Sequence, residues 1–415
     1  MKHTRALILC LSLIGLCPGL HAAERAPLEI ELVHELGADK GAQLARLVER
    51  FNAGNKAAHI NISERRWDAP GPQAALMILE DSSEAQLLSK PKRIKPLYEV
   101  MAQAREPLQT LAPPRMMTPL VLDERNRLRA LPIGLGSPVM YTNRAALQQA
   151  GIDPASLPAT WQDWQEVFGK LRQAGIACPY TTAEPVSVFI ENSSAWNNQA
   201  YASTGKNAQV VANGLMQVKH IALMNSWVRG QYLHLFGYGR EAEQVFMDGK
   251  CASLTASSAL LPSLRRAGLD VVVSPLPYHD GAYGAPLNTL ADGPSMWIAA
   301  GRSSAEYAQI ARFVSFWLSA ESQVEWQVNA GYLPLNQAGL LAATRSRLLR
   351  EDLQAIRIAI DELTHKSATN GYASALAHKP GVREVFAEEL DAVWTDRKPP
   401  KQALDDAVSR IRRLP

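Results

Sequence analysis

Phe246-Met247-Asp248-Gly249-Lys250-Cys251-Ala252-Ser253-Leu254-Thr255-Ala256-Ser257-Ser258 is the stretch on which the fold turns. Asp248-Gly249 marks a turn, Cys251 to Ala256 has the small and β-branched residues of a short strand, and two serines then open a helix predicted over Ala259 to Ala267. A strand that ends in hydroxyls at a helix start can hold an anion, because the first N–H groups and the helix dipole both favour negative charge there. The same serine also reads as an ordinary helix cap.

The pattern repeats outward from this stretch. Leu28 to Val33 and His59 to Ser63 read as strands, and between them Leu44, Leu47, Val48 and Phe51 form one apolar helical stripe. Ala74 to Leu79 is a third strand, ending at Glu80. Thr160 caps a helix carrying Trp161, Trp164, Val167, Phe168 and Leu171, which stops at Gly175. Strands follow at Ile176 to Tyr180, Asp270 to Ser274 and Ser295 to Ala300. A helix over Ala305 to Leu318 turns Ile310, Phe313, Val314 and Trp317 inward, and Leu404, Ala407, Val408 and Ile411 share a face near the end. Alternating strands and helices predict an α/β architecture. No linker separates two halves, so the chain is expected to cross between lobes at Leu131 to Pro138, Thr289 to Ser295 and Ala330 to Pro334.

The 415 residues are 47% hydrophobic and 20% charged, an ordinary globular composition with room for two or three domains. Lys2 and Arg5 precede an apolar run from Ala6 to about Leu20 and then His21-Ala22-Ala23, the pattern of a cleaved secretory signal. Leu16 is too bulky before Cys17 for a lipoprotein site. Loss of Lys2 and Arg5 takes two from the 43 basic residues, against 40 acidic ones, so the exported chain is nearly neutral. No basic run suits nucleic acid. Cys10 and Cys17 leave with the signal; Cys178 and Cys251 are compatible with one disulfide or with two buried thiols.

Catalytic patterns are missing. His34-Glu35 lacks the second histidine of a zinc-protease helix, Gly134-Leu135-Gly136 does not continue into a dinucleotide fingerprint, and the nine histidines show no metal spacing. An exported, nearly neutral α/β chain of two lobes without catalytic signature reads as a binder whose ligand sits between lobes.

Particular residues extend this. Arg50-Phe51-Asn52-Ala53, Ile94-Lys95-Pro96-Leu97-Tyr98, Pro138-Val139-Met140-Tyr141, Glu191-Asn192-Ser193-Ser194-Ala195-Trp196-Asn197, the Gly249 to Ser258 turn, Gly331-Tyr332-Leu333-Pro334, and Val393-Trp394 through Ala403-Leu404 run through nearly the whole exported chain. With them the chain resembles the extracellular solute-binding proteins of ABC importers, in the maltose-binding-like group and its glycerol-phosphate branch. The resemblance implies a two-lobed periplasmic-binding-protein fold of type II, with a signal peptide over 1–23, an N-terminal lobe of 24–133 plus 296–335, and a C-terminal lobe of 134–295 plus 336–415. It implies a periplasmic monomer that is not an enzyme and needs no cofactor or metal. Such a protein binds a glycerol-phosphate compound and delivers it to membrane permease subunits with a cytoplasmic ATPase.

The same resemblance carries ligand contacts onto Trp67, Glu80, Ser257, Gly293, Tyr332 and Arg383. A further serine of the family falls at Gly136 or Ser137; Ser137 is chosen for its hydroxyl. On this reading Arg383 grips phosphate with its planar fork, Ser257 adds a hydroxyl and helix-start N–H groups, and Glu80 accepts hydroxyls at the glycerol end. Gly293 lets backbone approach the ligand, and Tyr332 and Trp67 supply flat walls. Blander roles stand beside these: a cap for Ser257, a solvated Glu80, a packed turn for Tyr332, and pairing with Glu384 or Glu388 for Arg383.

Two tryptophans that wall the pocket in the family are replaced by Glu184 and Ser187. That opens space and brings in a carboxylate suited to a cationic head group, so glycerophosphocholine and glycerophosphoethanolamine are expected to bind at least as well as sn-glycerol 3-phosphate. A sugar-binding protein of this fold is the alternative, and a periplasmic phosphodiesterase a more distant one.

Overall fold

The structure, a computed structural model, describes residues 26–108, 111, 119–203, 208–346, 352–366 and 379–414. The expected signal segment, 1–23, lies outside the described residues.

Among the described residues, ten strands form two five-stranded sheets. The first contains β1 (Leu28–His34), β2 (Ala58–Glu64), β3 (Leu76–Leu79), β4 (Leu131–Pro132) and β10 (Ser295–Ile298), in the order β2-β1-β3-β10-β4. β1 runs parallel to β2 and β3, while β10 is antiparallel to β3 and β4. The second contains β5 (Pro138–Asn143), β6 (Cys178–Thr182), β7 (Leu233–His234), β8 (Cys251–Ser257) and β9 (Val271–Pro275), in the order β7-β6-β8-β5-β9. The chain therefore leaves the first sheet after β4, builds the second, and returns through β10.

The helices form where the apolar spacing predicts them. Helix Gly37–Gly54 buries Leu44, Leu47, Val48 and Phe51 on the first sheet. Thr160 caps helix Trp161–Gln173 by accepting from the Asp163 amide, and Trp161, Trp164, Val167, Phe168 and Leu171 are buried. Helix Ser304–Trp317 starts in a capping box between Ser303 and Glu306. Strand β3, Leu-Met-Ile-Leu, is buried throughout, as a central strand covered on both faces should be.

Two large cores result. The first gathers Ile30, Leu32, Ile78, Trp297, Phe313 and Trp317. The second gathers Trp164, Phe168, Tyr180, Trp227, Val393 and Leu404, so the C-terminal helices Val382–Trp394 and Pro400–Ile411 pack with the second sheet's core. Phe168 stacks on Tyr180 with centroids 5.1 Å apart and meets Trp227 edge-on at 5.2 Å. Such pairs contribute about 0.5–1.5 kcal/mol each beyond area burial. A smaller cluster with Tyr141, Phe246 and Leu254 covers the other face.

Cys178 and Cys251 are joined in a disulfide. They stand opposite one another on the parallel strands β6 and β8, which brings their Cα atoms within 4.6 Å. The two alternatives left by the sequence thus resolve to the bridge.

The two-lobed α/β architecture expected from the sequence is the one observed. Glu362, on helix Leu353–Thr364, ties two passages between the sheets. One carboxylate oxygen accepts from Ser137 Oγ at 2.9 Å and the other from the Leu276 amide at 2.6 Å. Its carbonyl accepts from the Thr289 amide at 2.9 Å.

Candidate ligand site

Strand ends and helix starts of both lobes converge between the sheets. Glu80 follows β3 in an extended conformation and stands at the N-cap position of helix Asp81–Leu88 without a side-chain cap bond, where the helix dipole favours a carboxylate. Its Oε1 accepts from Tyr332 Oη at 3.2 Å, and its Oε2 lies 3.1 Å from Nη2 of Arg240. Arg240 comes from the second lobe, just before helix Glu241–Met247. Glu80 and Arg240 therefore bridge the lobes.

Tyr332 is buried and stacks on Trp326 with centroids 6.0 Å apart. Lys40, in the first turns of helix Gly37–Gly54, donates to Tyr332 Oη at 2.8 Å and sits 4.3 Å from the ring centre. Gly331 closes helix Ala320–Ala330 with φ +83°, and a Cβ there would lie 2.4 Å from the Ala259 carbonyl oxygen. Only glycine lets this turn press against the helix start of the other lobe.

The opening serine stretch lies directly opposite. Ser257 ends β8; its Oγ accepts from the Ala259 amide at 3.3 Å and donates to Asp292 Oδ1 at 2.9 Å. It is both a cap and part of a polar pair. The short 3₁₀ turn Ser258–Leu260 comes first, and the regular helix spans only Leu261–Arg266. Gly293, next to Asp292, has φ +118° and packs against Gly134 and the Tyr332 ring.

Gly136 and Ser137 have different surroundings. A Cβ on Gly136 would fall 2.2 Å from Asp292 Oδ1 and 2.6 Å from Ser257 Oγ, so its bare backbone lies against that pair. Ser137 is fully buried and its hydroxyl is engaged by Thr289 at 2.7 Å and by Glu362. Residues alternate sides along an extended strand, so adjacent positions cannot both face the cleft.

Trp67 is linked to these strand ends through Glu35, which accepts from the Trp67 amide at 3.2 Å and from Ser83 Oγ at 2.5 Å. Its ring, however, packs in the first core beneath Lys90 and Arg93, at 5.0 and 5.9 Å. It lines a separate basic cleft of about 550 Å³ with Arg65, Lys92 and Arg93.

Arg383 meets Glu191 as a fork, Nε to Oε1 at 2.9 Å and Nη2 to Oε2 at 2.7 Å. Glu191 is 2% exposed, whereas Arg383 keeps 25% of its side chain exposed. The fork's partner is thus a buried residue of the Glu191-to-Asn197 stretch, which fixes the plane of the guanidinium.

The replacements for the family tryptophans also read differently in three dimensions. Glu184, with φ +49°, lies 3.3 Å from Nε of Arg240, so its charge is matched within the protein and is not held in reserve for a cationic head group. Ser187 begins the π-helical turn Ser187–Asn192 and its Oγ accepts from Asn192.

Burial sets the protonation of this cluster. It pushes Asp292 up to about 7, with nearby Glu184 adding to the rise. It also raises Glu243 and lowers Lys40, on which Arg240 acts in the same direction. Glu80 holds Arg240 firmly protonated. At the rim, Asp39 of the first lobe accepts from Ser263 Oγ at 2.8 Å and meets Arg266 at 2.5 Å. These contacts flank a cleft of about 780 Å³ lined by Leu36, Lys40, Arg240, Glu243, Leu260 and Arg266. That size falls in the ~300–1,000 Å³ range of small-molecule sites.

Lys40, Arg240 and Asp292 escaped the sequence reading. The one available signal was Gly237-Tyr238-Gly239-Arg240, a glycine-flanked cation just ahead of a helix. No group of three metal-ligating side chains occurs among the described residues, and no helix there is long and apolar enough to cross a membrane.

Known proteins resemble this chain in sequence and in fold. Residues 68–344 match the family model for bacterial extracellular solute-binding proteins. The sn-glycerol-3-phosphate-binding periplasmic protein UgpB of Pectobacterium atrosepticum is 31% identical over 94% of this chain and 92% of its own length. That of Salmonella typhimurium is 32% identical over the whole chain and 97% of its own. Among solved structures, UgpB from Mycobacterium tuberculosis in complex with glycerophosphocholine superposes with a TM-score of 0.75 at 17% identity, covering 93% of this chain and 98% of that one. Maltose-bound MalE3 of T. maritima gives 0.74 at 16%, covering 93% and 99%. These last two likenesses speak to the fold.

Proposed function

The chain belongs to the bacterial extracellular solute-binding protein family, and we propose that it captures sn-glycerol 3-phosphate or glycerophosphodiesters in the periplasm for an ABC importer. Proteins of this family bind small solutes and work with permease and ATPase subunits; the ligand class and the exported location are our reading. The observation that carries it is the meeting of Glu80 and Tyr332 with Ser257, Asp292 and Arg240 between the sheets. Hydroxyl acceptors, hydroxyl donors and cations lie together there, as a polyol bearing an anionic group requires.

In this reading Glu80 and Tyr332 receive the glycerol hydroxyls. Ser257, with the backbone of Gly136 and Gly293, approaches the anionic end, and Arg383, held in plane by Glu191, adds positive charge. Trp67 supports the first lobe's strand ends at a distance, and Ser137 serves the crossing. The passages 133–137 and 276–294 act as hinges, and the protein works as a monomer. The diesters remain in the proposal because Glu184 and Ser187 leave no aromatic wall beyond Arg240. UgpB of Pectobacterium atrosepticum, an sn-glycerol-3-phosphate-binding protein, and UgpB of Mycobacterium tuberculosis, in complex with glycerophosphocholine, support the same class.

Sugar binding is the second reading, favoured by the number of carboxylates between the lobes: Glu80, Glu184, Glu243 and Asp292. A thermal-shift screen separates the two. Excess ligand at about 100 times Kd stabilises a folded protein by ~2.7 kcal/mol. The proposal expects a raised Tm with glycerol 3-phosphate or glycerophosphocholine and none with maltose. The reverse pattern overturns it.

A further inference from the structure

The cation that dominates the cleft is not the one at the end of the chain. Arg240 faces three carboxylates, Glu80 at 3.1 Å, Glu184 at 3.3 Å and Glu243 at 3.9 Å. Its side chain is 30% exposed and lines the cleft, and those of Glu80 and Glu184 are 19% and 23% exposed, so all three keep some access to solvent. Lys40 approaches from the other lobe and is anchored on Tyr332 Oη, the same oxygen that donates to Glu80. The tyrosine hydroxyl thus links Lys40 to Glu80, the carboxylate that Arg240 meets directly.

The charge balance of this group leaves room for an anion. Burial pushes Asp292 up to about 7, so near neutrality it does not carry its full negative charge, and burial raises Glu243 in the same direction. Glu80 and Glu184 both face Arg240, whereas Lys40 is held by the tyrosine hydroxyl. A phosphate entering such a cluster needs one carboxylate to find another partner. Glu80 has that option, because a polyol offers it hydroxyl donors. A carboxylate exchanging a guanidinium for hydroxyls gives up a charge-assisted contact, and the guanidinium recovers it with phosphate, for which its planar donors are well suited.

Resting on the glycerol-phosphate reading above, we propose that Arg240 and Lys40 are specificity-determining cations. Glu80 exchanges its hold on Arg240 for the ligand's hydroxyls, and Arg240 with Lys40 takes the ligand's anionic group. Since Glu80 and Arg240 belong to different lobes, the ligand replaces a direct bridge between them with a bridge through itself.

Calorimetric titration of wild type, Arg240→Gln, Arg240→Lys and Lys40→Gln tests this at about pH 8, where a phosphomonoester carries nearly two negative charges. The ligands are sn-glycerol 3-phosphate and glycerophosphocholine, whose phosphodiester carries one. Loss of a charge partner predicts roughly 30-fold or weaker binding of the monoester by both Gln variants, a smaller loss for the diester, and partial rescue by Arg240→Lys. Melting curves of each variant establish that it is folded. Binding of the monoester within about twofold of wild type by both Gln variants overturns the inference and leaves the ligand reading standing, as does equal loss for the two ligands. Wild type binding neither ligand overturns both.

Discussion

Arg383 and Glu191 form a two-point fork across the second lobe, joining the helix Val382–Trp394 to the π-helical turn Ser187–Asn192. The carboxylate is buried and the guanidinium only partly so. That asymmetry gives the pair a direction: Glu191 is the anchor and Arg383 the presented group. Truncating the anchor should therefore harm stability and ligand affinity together. Glu191→Ala is expected to cost about 2–4 kcal/mol in urea unfolding, since one partner of a largely buried pair is removed. It is also expected to weaken glycerol 3-phosphate binding. Unchanged stability would mean that the fork is ornamental.

Glu362 predicts a pH dependence. Burial holds its carboxyl near 8, well above the ~4.3 of an unfolded chain. The native protein then keeps a proton that the unfolded chain releases, so stability is full in acid and falls as pH rises from about 4.5 to about 8. Asp292, pushed up to about 7, adds a loss of the same sign. Glu362→Gln keeps an acceptor for the Leu276 amide without the charge. Its Tm advantage over wild type should grow from pH 5 to pH 8.5; parallel Tm-against-pH curves would refute the assignment.

Gly136→Ala probes the crossing. The added methyl would lie 2.2 Å from Asp292 Oδ1 and 2.6 Å from Ser257 Oγ, so the pair must separate. We expect roughly tenfold or greater loss of ligand affinity, about 1.4 kcal/mol, from a protein that still melts cooperatively. Ser137→Ala should act instead on stability, because it strips a buried hydrogen bond from Glu362. A titration in which Ser137→Ala loses the greater affinity would restore Ser137 to the ligand site.

The disulfide closes a loop between residues 73 apart in sequence. Chain-entropy reasoning gives it ~4 kcal/mol through restriction of the unfolded chain. Cys178→Ser with Cys251→Ser should lower the denaturation midpoint accordingly. It should leave ligand affinity near wild type, since Cys178 and Cys251 open β6 and β8, and Ser257 lies at the opposite end of β8. An equal midpoint with and without reductant would count against the bridge.

Much of the fold was legible because one-sided burial writes itself into spacing. Leu44, Leu47, Val48 and Phe51 announce a helix, and Leu76 to Leu79 a buried strand. Glu80 and Ser257 were legible at the ends of their strands. What the sequence could not carry was pairing over distance. Arg383 meets Glu191 across 192 positions, and Tyr332 meets Glu80 across 252. The surroundings of Ser137 and Gly136 were hidden for a related reason. A hydroxyl looks functional in a string of letters, whereas here the absence of a side chain lets backbone lie against Ser257 and Asp292. Glu184 looked like a spare charge until its partner Arg240, 56 positions on, came into view.

The central claim, a glycerol-phosphate ligand held between the lobes, is tested most directly by isothermal titration of the wild-type protein with sn-glycerol 3-phosphate, glycerophosphocholine and maltose in parallel. The account predicts saturable one-to-one binding of at least one glycerol-phosphate compound and no heat of binding from maltose. Binding of maltose with no response to either phosphate compound would contradict it.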